Sequence, residues 1–483
     1  MKKGIFLAIL FAAVALLTFT ACEETVKTET VTDLQPYDVG DILPGSWTVT
    51  VADDLGGYIA ERLVDADPED DLDFGADASD EVEIMVTGKF GSDITFTKSH
   101  AVYATLQQTY YLSSQVIIGN DNANNAVLTI EAGTLIKGEV SSVDPGVLIV
   151  SRGSKIQAVG TATDPIVFTS ANEVGDRAQG DWGGIVLLGN GISNEGPDAV
   201  AEAIYQPWGG SDNTDSSGTL QYVRVEFAGT LFDSENELNG IAFYGIGSGT
   251  TVDHVQVHMN GDDGVEFFGG AVKVSYLVLT GEGDDSLDYD NGWVGGAQFV
   301  IIQQYAGVAG DKLIEGDGEA DPTSTPYLAN MTIMTPRDEH LSIKVNSEGE
   351  IVNTVIVSSL ASPELVDDHL ADGETTVDAG VFAYDGVIVE GYDTADADAD
   401  GLSDAAPIFD ALIKAAGNVA VVEQTNYDST NQYAIDNAIF TILPGTVTAV
   451  DATAYGAPAA GQFIGAYDGT TNWWTGWTTE AAN

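Results

Sequence analysis

The sequence has one cysteine, Cys22, among its 483 residues, which excludes a disulfide within the chain. Basic residues are also scarce, because 16 Lys and Arg stand against 75 Asp and Glu, for a formal net charge of −59. A field of that sign repels nucleic acid and anionic membranes and attracts cations. Beyond one apolar run at residues 5–17, no segment is long and apolar enough to cross a bilayer, so a mature chain without a transmembrane helix is predicted.

Residues 1–21 have the order of a secretory signal, with two lysines, an apolar run and a small residue before Cys22. The segment resembles a bacterial lipoprotein signal, which implies lipidation of Cys22 and removal of everything before it. Glu23 and Glu24 resemble the acidic export signal of surface-exposed lipoproteins in Bacteroidota. The expectation is an outer-membrane protein that is exposed on the cell surface and contacts the membrane through its lipid anchor only.

A short pattern occurs twice in the middle of the chain, at residues 261–267 (GDDGVEF) and 283–289 (GDDSLDY), 22 residues apart. The apolar segment between the two copies recurs at the same interval, which aligns His254 with Tyr276 and Tyr276 with Gln298. Short alternating segments split by Gly and Asp cannot bury an apolar face alone, so copies must stack. The repeat predicts an all-β parallel β-helix with about 22 residues per rung.

Further runs of alternating apolar residues end at Gly, Asn, Asp or Pro, as in solenoid strands; examples are residues 127–134, 147–156 and 165–170. Over about residues 105–478 the sequence resembles a large group of mostly uncharacterised bacterial surface proteins with a right-handed, pectate-lyase-like β-helix. The resemblance implies the fold and says little about activity. Strand alternation places one apolar residue of each rung inside, namely Ile241, Val265, Leu287, Leu313 and Leu341.

The remaining segments divide the chain as follows. Residues 22–46 are the lipidated cysteine and a tether, and residues 47–104 are an N-terminal β-module or cap. The β-helix occupies residues 105–361. Residues 362–425 are an acidic insertion with helical spacing of apolar residues, and residues 426–483 contain C-terminal rungs and a cap.

The insertion contains the most specific metal motif, DADADGLSD at residues 396–404. Oxygen ligands at positions 1, 3, 5 and 9, a backbone carbonyl at 7 and Gly at 6 match an EF-hand-like calcium loop. Position 12 is Pro407 instead of a bidentate Glu, so the segment resembles the shorter loops of thrombospondin type-3-like repeats. An acidic loop without metal is the alternative. The predicted ligands are Asp396, Asp398, Asp400, Leu402 and Asp404.

The two GDD copies form the second candidate. Stacking at about 4.8 Å per rung makes Glu266 and Asp288 outward neighbours, flanked by Asp263 and Asp285. Three interpretations are open: the Asp residues shape a turn, the carboxylates bind a cation or line a carbohydrate groove, or they catalyse glycosidic cleavage.

A lyase also needs a base near calcium. Arg337, His340 and Lys344 are the candidates, because they lie close together in a chain with few basic residues.

Aromatic and histidine residues give weaker signals. Trp182, Trp208 and Trp293 are candidates for stacking on sugar rings, whereas Trp473, Trp474 and Trp477 are predicted to pack in the C-terminal cap. His254 and His258 fall on one strand face by alternation and are interpreted as polar surface residues, since no ligand spacing supports zinc.

The function favoured by the sequence is a calcium-stabilised surface lipoprotein that binds or organises extracellular polysaccharide or surface partners. One alternative is a calcium-dependent polysaccharide lyase or glycoside hydrolase. The other is a structural surface-layer or adhesion protein that makes protein contacts through its long β-wall.

Overall fold

The computed structural model describes residues 47–64, 80–232, 236–318, 320–336, 341–344 and 347–358, several short strands outside these ranges, and parts of residues 463–479. In the described part the chain forms 29 strands and no helix. In chain order the strands are β1 Ile42–Leu43, β2 Trp47–Ala52, β3 Tyr58–Val64, β4 Glu81–Phe90, β5 Ile94–Phe96, β6 Gln107–Ile118, β7 Val127–Ile130, β8 Leu135–Gly138, β9 Val147–Val150, β10 Lys155–Val159, β11 Ile166–Ser170, β12 Ile185–Leu188, β13 Ala199–Val200, β14 Pro207–Trp208, β15 Gly218–Glu226, β16 Ile241–Tyr244, β17 Thr251–His258, β18 Val265–Phe268, β19 Lys273–Thr280, β20 Leu287–Asp290, β21 Gly296–Gln303, β22 Ile314–Gly316, β23 Tyr327–Thr335, β24 Leu341–Ile343, β25 Gly349–Val352, β26 Val355–Ser358, β27 Phe382–Asp385, β28 Val387–Glu390 and β29 Val419–Val422.

Apart from the antiparallel pair β13 and β14, the strands from β4 onward pair in parallel with strands one rung away and build three walls of a right-handed parallel β-helix. The first wall runs from β5 through β7 and β10 and the first halves of β15, β17, β19, β21 and β23 to β25 and β27. The second wall contains β8, β11, the second halves of the same long strands, β26, β28 and β29. The third wall contains β9, β12, β16, β18, β20, β22 and β24.

The interior of the solenoid is a continuous apolar column. Along the third wall Val265, Phe267, Leu287 and Tyr289 are at most 1% exposed, and the residues between them point outward. Rings of neighbouring rungs stack inside, as Phe267 does on Trp293 with centroids 4.1 Å apart. Each rung therefore depends on the next to bury its apolar side chains, as the repeat predicted.

A left-handed residue marks the corner between the first and second walls in six rungs. The φ angles of these residues lie between 49° and 60°, and the set is Tyr222, His254, Tyr276, Phe299, Asn330 and Asn353. One residue in this conformation breaks the two-residue alternation, so that Val252 and Val255 both point into the core on either side of His254. The long strands β15, β17, β19, β21 and β23 are therefore each two wall segments joined at a bend.

The two ends of the described chain extend the solenoid in different ways. Strands β1 to β4 pair antiparallel with one another, and β4 then pairs in parallel with β6, so the N-terminal strands cover the first rung. Within residues 362–425, strands β27, β28 and β29 add further parallel rungs to the first and second walls. The apolar residues with helical spacing, at 408–415, lie outside the described residues.

Two segments cover the outside of the solenoid. The β13–β14 hairpin lays Trp208 over Tyr244 and Phe268 on the third wall. The described residues of 463–479, here named the C-terminal flank segment, lie along the second wall. There Trp474 and Trp477 pack on outward apolar residues of successive rungs, namely Val278, Ile301, Met334 and Val357.

Side chains and backbone hold the C-terminal flank segment in place. Thr479 N donates to Gln256 Oε1 at 2.7 Å, and Gln256 Nε2 donates to Thr479 O at 2.9 Å. At the other end Asn330 Nδ2 donates to Phe463 O at 2.6 Å. The three tryptophans were predicted to pack in a C-terminal cap, but they lie on the flank of the solenoid. There they cover apolar side chains on the outer face of the second wall.

Glycine at the start of each GDD copy is required by the spacing of the rungs. A Cβ on Gly283 would lie 2.2 Å from the backbone oxygen of Gly261, and a Cβ on Gly261 would lie 2.4 Å from that of Gly229.

We expect Gly283→Ala to lower the free energy of unfolding by about 2–3 kcal/mol, because rigid backbone must move apart. Gly307→Ala is the control; it has φ +86° but no atom within 4 Å of the new Cβ, and should cost about 1 kcal/mol. Equal losses in denaturant unfolding would contradict the steric account.

Candidate functional site

Carboxylates of three consecutive rungs lie in line on the outer face of the third wall. Glu266 pairs with Asp288 in the register of β18 and β20, which confirms the predicted stacking. In the next rung Leu287 pairs with Ile314, so Glu315 follows Asp288 in the same outward column. Glu266, Asp288 and Glu315, with Asp263 and Asp285 beside them, are here named the acidic ladder.

Glu315 was not among the predicted site residues, because Leu313 was aligned with Leu287. That alignment places Ile314, not Glu315, after Asp288 in the outward column. The structure pairs Ile314, not Leu313, with Leu287 and with Leu341, so the predicted alignment of this rung was wrong by one residue. Leu313 itself is buried in the core, as predicted. A longer connection precedes β22, and repeat spacing alone cannot locate one extra residue in a turn. A second one-residue shift occurs at the corner between the first and second walls. Ser275 pairs with Gln298, so Tyr276 aligns with Phe299 and not, as the 22-residue interval predicted, with Gln298.

Asp263 and Asp285 have a structural role as well as a charge. Asp263 Oδ1 accepts a hydrogen bond from the backbone N–H of Asp285 at 2.9 Å, and Asp285 Oδ1 accepts one from Lys312 at 2.6 Å. Each aspartate thus joins its turn to the turn of the following rung. These hydrogen bonds therefore run between rungs and leave both the turn and the cation interpretations open.

The carboxylates are close enough to share one ion. One ligand oxygen each from Asp263, Glu266 and Asp288 lies within 4.8 Å of the others, and the same holds for Asp285, Asp288 and Glu315. A second row runs beside the ladder and contains the exposed residues Glu237, Asp284 and Asp311 and the buried Asp262.

Burial makes the fully charged state of the ladder unfavourable. It raises the pKa of Asp285 to about 9, and the charges of Asp288 and Glu315 add to this effect. It also raises the pKa of Asp288 to about 7, with a further contribution from Glu315 that Lys344 partly offsets. The pKa values of Glu266 and Asp263 are raised well above their usual range, again through burial first and neighbouring carboxylates second.

Two other side chains contact the ladder from its ends. Lys344 Nζ lies 2.7 Å from Glu315 Oε2, so this predicted candidate belongs to the site; Arg337 and His340 lie outside the described residues. At the other end the amide Nδ2 of Asn239 donates to Glu266 Oε2. The amide oxygen of Asn239 is buried and has no hydrogen-bond partner in the described part of the chain, although the residue is only 3% exposed.

The tryptophans predicted to stack on sugars are not accessible. Trp182 and Trp293 are fully buried inside the solenoid, with their indole N–H groups bonded to backbone oxygens of Glu226 and Val272. Trp208, in β14 itself, is 2% exposed because its ring packs between the β13–β14 hairpin and the third wall. The prediction of a tryptophan platform was wrong, because these rings fill the core and the one outer cluster that the hairpin covers.

The two histidines lie in different places, contrary to the prediction of one shared face. His254 is the left-handed corner residue of its rung and stacks between Tyr222 and Tyr276, with centroids 4.4 Å from each. His258 is completely buried, and its Nδ1 lies 2.8 Å from Thr280 Oγ1. The bend at His254 separates them, and neither lies in the acidic ladder.

Several predicted features stay predictions. Cys22 and the predicted calcium ligands Asp396, Asp398, Asp400, Leu402 and Asp404 lie outside the described residues. Within the described residues, no helix has the length and apolarity needed to span a membrane.

The site can bind a hard cation through oxygen ligands. Carboxylates from two rungs and the nearby amide oxygen of Asn239 are the ligand types that calcium takes in flexible geometry. A divalent ion would also neutralise the like charges that burial makes unfavourable. The residues present therefore fit a divalent cation, and such an ion would supply charge neutralisation and a bridge to an anionic ligand.

The parallel β-helix fits a carbohydrate-related surface protein, as the family match shows. The family model for the pectate-lyase-like β-helix domain matches residues 95–454, about three quarters of the chain, and the protein belongs to this family. Neither the curated proteins nor the solved structures contain a match to the chain.

Proposed function

We propose that the protein is a surface-anchored lipoprotein that binds extracellular polysaccharide through divalent cations held on the acidic ladder. The observation that carries this proposal is the alignment of Glu266, Asp288 and Glu315 on the outer face of three consecutive rungs. A glycan chain is also linear, so it can follow such a row and contact successive rungs.

Charge indicates why a cation belongs in this function. The chain carries a formal net charge of −59, so an acidic polysaccharide is repelled unless positive charge lies between the two. Described basic residues near the ladder are already paired, Lys344 with Glu315 and Lys312 with Asp311. A cation bound by the ladder supplies the missing charge and leaves coordination positions for glycan oxygens.

The proposal also includes the anchor at Cys22 and calcium binding by residues 396–404. Lipidation would hold the protein at the outer membrane, and the tether of residues 22–46 would carry the solenoid away from it. Calcium in the loop would stabilise the folded chain, since an ion that binds only the folded state raises its stability. Surface proteins are a second class of partner for the same exposed walls.

Affinity electrophoresis tests the polysaccharide proposal. In native gels that contain polygalacturonate or alginate, the protein should be retarded with calcium and should run freely with EDTA. Glu266→Gln/Asp288→Asn should weaken the interaction about tenfold or more, because it removes two cation ligands of adjacent rungs.

The matched control removes the same two charges elsewhere. Asp54, between β2 and β3, and Glu131, directly after β7, are both exposed and lie outside the ladder, so Asp54→Asn/Glu131→Gln should leave the retardation unchanged. Retardation that persists in EDTA, or that falls equally in both double variants, would show that binding does not use the ladder.

One observation favours an enzymatic alternative. Lys344 and carboxylates with raised pKa values lie together, as in sites that transfer protons. Incubation with acidic glycans and calcium, followed by assays for unsaturated and reducing ends, separates the two functions. New ends would identify a lyase or a hydrolase, and their absence across a broad panel would leave binding as the function.

A further inference from the structure

The acidic ladder contains one side chain of opposite charge, Lys344, at its C-terminal end. Lys344 follows β24, and its backbone N–H donates to Gly316 O at 2.8 Å, which continues the third wall by one residue. Its side chain turns back along the wall, so that Nζ lies 2.7 Å from Glu315 Oε2. The side chains of Lys344 and Glu315 are 30% and 21% exposed, so the ion pair is accessible from solvent.

The two halves of the ladder differ in what lies beside them. The upper half, Asp263, Glu266 and Asp288, contacts the Asn239 amide, whose buried oxygen has no hydrogen-bond partner. The lower half, Asp285, Asp288 and Glu315, contacts the Lys344 ammonium instead. The Asn239 amide donates to Glu266 through Nδ2, and a rotation of the amide would turn its unpaired oxygen toward a cation as a further ligand. The Lys344 ammonium has no acceptor to offer and competes for the Glu315 carboxylate.

We propose that Lys344 is a tethered counter-ion of the ladder, which a divalent cation must displace from Glu315 before the lower half can bind it. This inference rests on the proposed function, since it concerns the cations that bind there. The physical reason is that Lys344 Nζ and the cation would both contact the Glu315 carboxylate and would repel each other at short range. The ladder thus has a tighter upper subsite and a weaker lower subsite.

Removing the ammonium tests this inference directly. Isothermal titration of the folded protein with calcium chloride should show two classes of sites that belong to the ladder, beside the site proposed at residues 396–404, which none of the variants below alters. Lys344→Met should tighten the weaker class by about tenfold, because the competing charge is gone. Lys344→Arg retains the charge and should keep the wild-type affinity, while Glu315→Gln should abolish the weaker class and leave the tighter one.

A second lysine provides the charge-matched control. Lys98 forms a surface ion pair with Asp164, and neither residue belongs to the acidic ladder. Lys98→Met therefore removes one positive charge outside the ladder and should not change the calcium affinity. Circular dichroism melting confirms that each variant is folded before titration.

The outcomes distinguish the inference from the proposed function. An unchanged or weaker lower class in Lys344→Met, or an equal change in Lys98→Met, would overturn the counter-ion role. If the wild type binds no calcium but Lys344→Met does, the counter-ion role holds and the proposed cation-dependent function fails. If neither protein binds calcium, both are wrong.

Discussion

In the absence of divalent cations, the free energy of unfolding is expected to fall by about 3 kcal/mol or more between pH 5 and pH 9. Four carboxyl groups have folded-state pKa values above their unfolded values, about 7 for Asp288, about 9 for Asp285 and well above the usual range for Asp263 and Glu266. The folded protein therefore retains protons that the unfolded chain has released. Stability is greatest below the unfolded pKa of about 4 for such groups and is lost as the pH rises through their folded values.

Thermal melting across this pH range, with EDTA and then with calcium, measures the effect. Calcium should flatten the profile because it replaces the protons as the neutralising charge. Glu266→Gln/Asp288→Asn should also flatten it, whereas Asp54→Asn/Glu131→Gln should retain the slope, because those carboxylates are exposed. A melting temperature that rises with pH in EDTA would contradict the origin assigned to these pKa values.

Trp477→Ala is expected to lower the free energy of unfolding by about 3–5 kcal/mol, the usual cost of truncating a buried tryptophan. Trp477 is completely buried, and the cluster it joins includes Val278 and Ile301 of the second wall. Its backbone oxygen also accepts a hydrogen bond from Arg224 Nη1 at 3.1 Å. Loss of the indole should detach the C-terminal flank segment and expose an outward apolar stripe over several rungs.

Chemical denaturation and the fluorescence of an apolar dye report the two consequences together. The variant should unfold at lower denaturant and bind more dye while still folded. Thr475 lies in the same segment and is exposed, so Thr475→Ala should change neither quantity beyond about 0.5 kcal/mol in stability. A tryptophan variant that is as stable as the wild type would show that the segment does not support the second wall.

The fold and half of the site could be predicted because both follow from the repeat. A fixed interval between Glu266 and Asp288 means stacking in a solenoid, and strand alternation then puts both carboxylates outside. Lys344 was a candidate base because it lies close to Arg337 and His340 in a chain with only 16 Lys and Arg residues. These inferences need only the spacing and the sign of charge.

The features that could not be predicted depend on the lengths and conformations of turns and on segments distant in sequence that pack over the walls. Glu315 was missed because an extra residue in a connection shifts the register by one, and the sequence does not mark where. His254 and His258 were assigned to one face because nothing at His254 indicates a left-handed bend in a non-glycine residue. Burial of Trp208 and Trp477 depends on segments distant in sequence folding back over the walls.

The spacing of the rungs has a consequence for the ions around the protein. The rungs that carry Glu266 and Asp288 each present three carboxylates over a rise of about 4.8 Å, which is one for every 1.6 Å or so along the solenoid. Fully ionised, this row would match the linear charge density of duplex DNA, about one charge per 1.7 Å, at which counterions condense. Because burial holds protons on Asp285 and Asp288, with pKa values of about 9 and about 7, the row approaches this charge density only in alkaline solution. There the face would hold an ion atmosphere, and its contacts with glycans would weaken as salt rises.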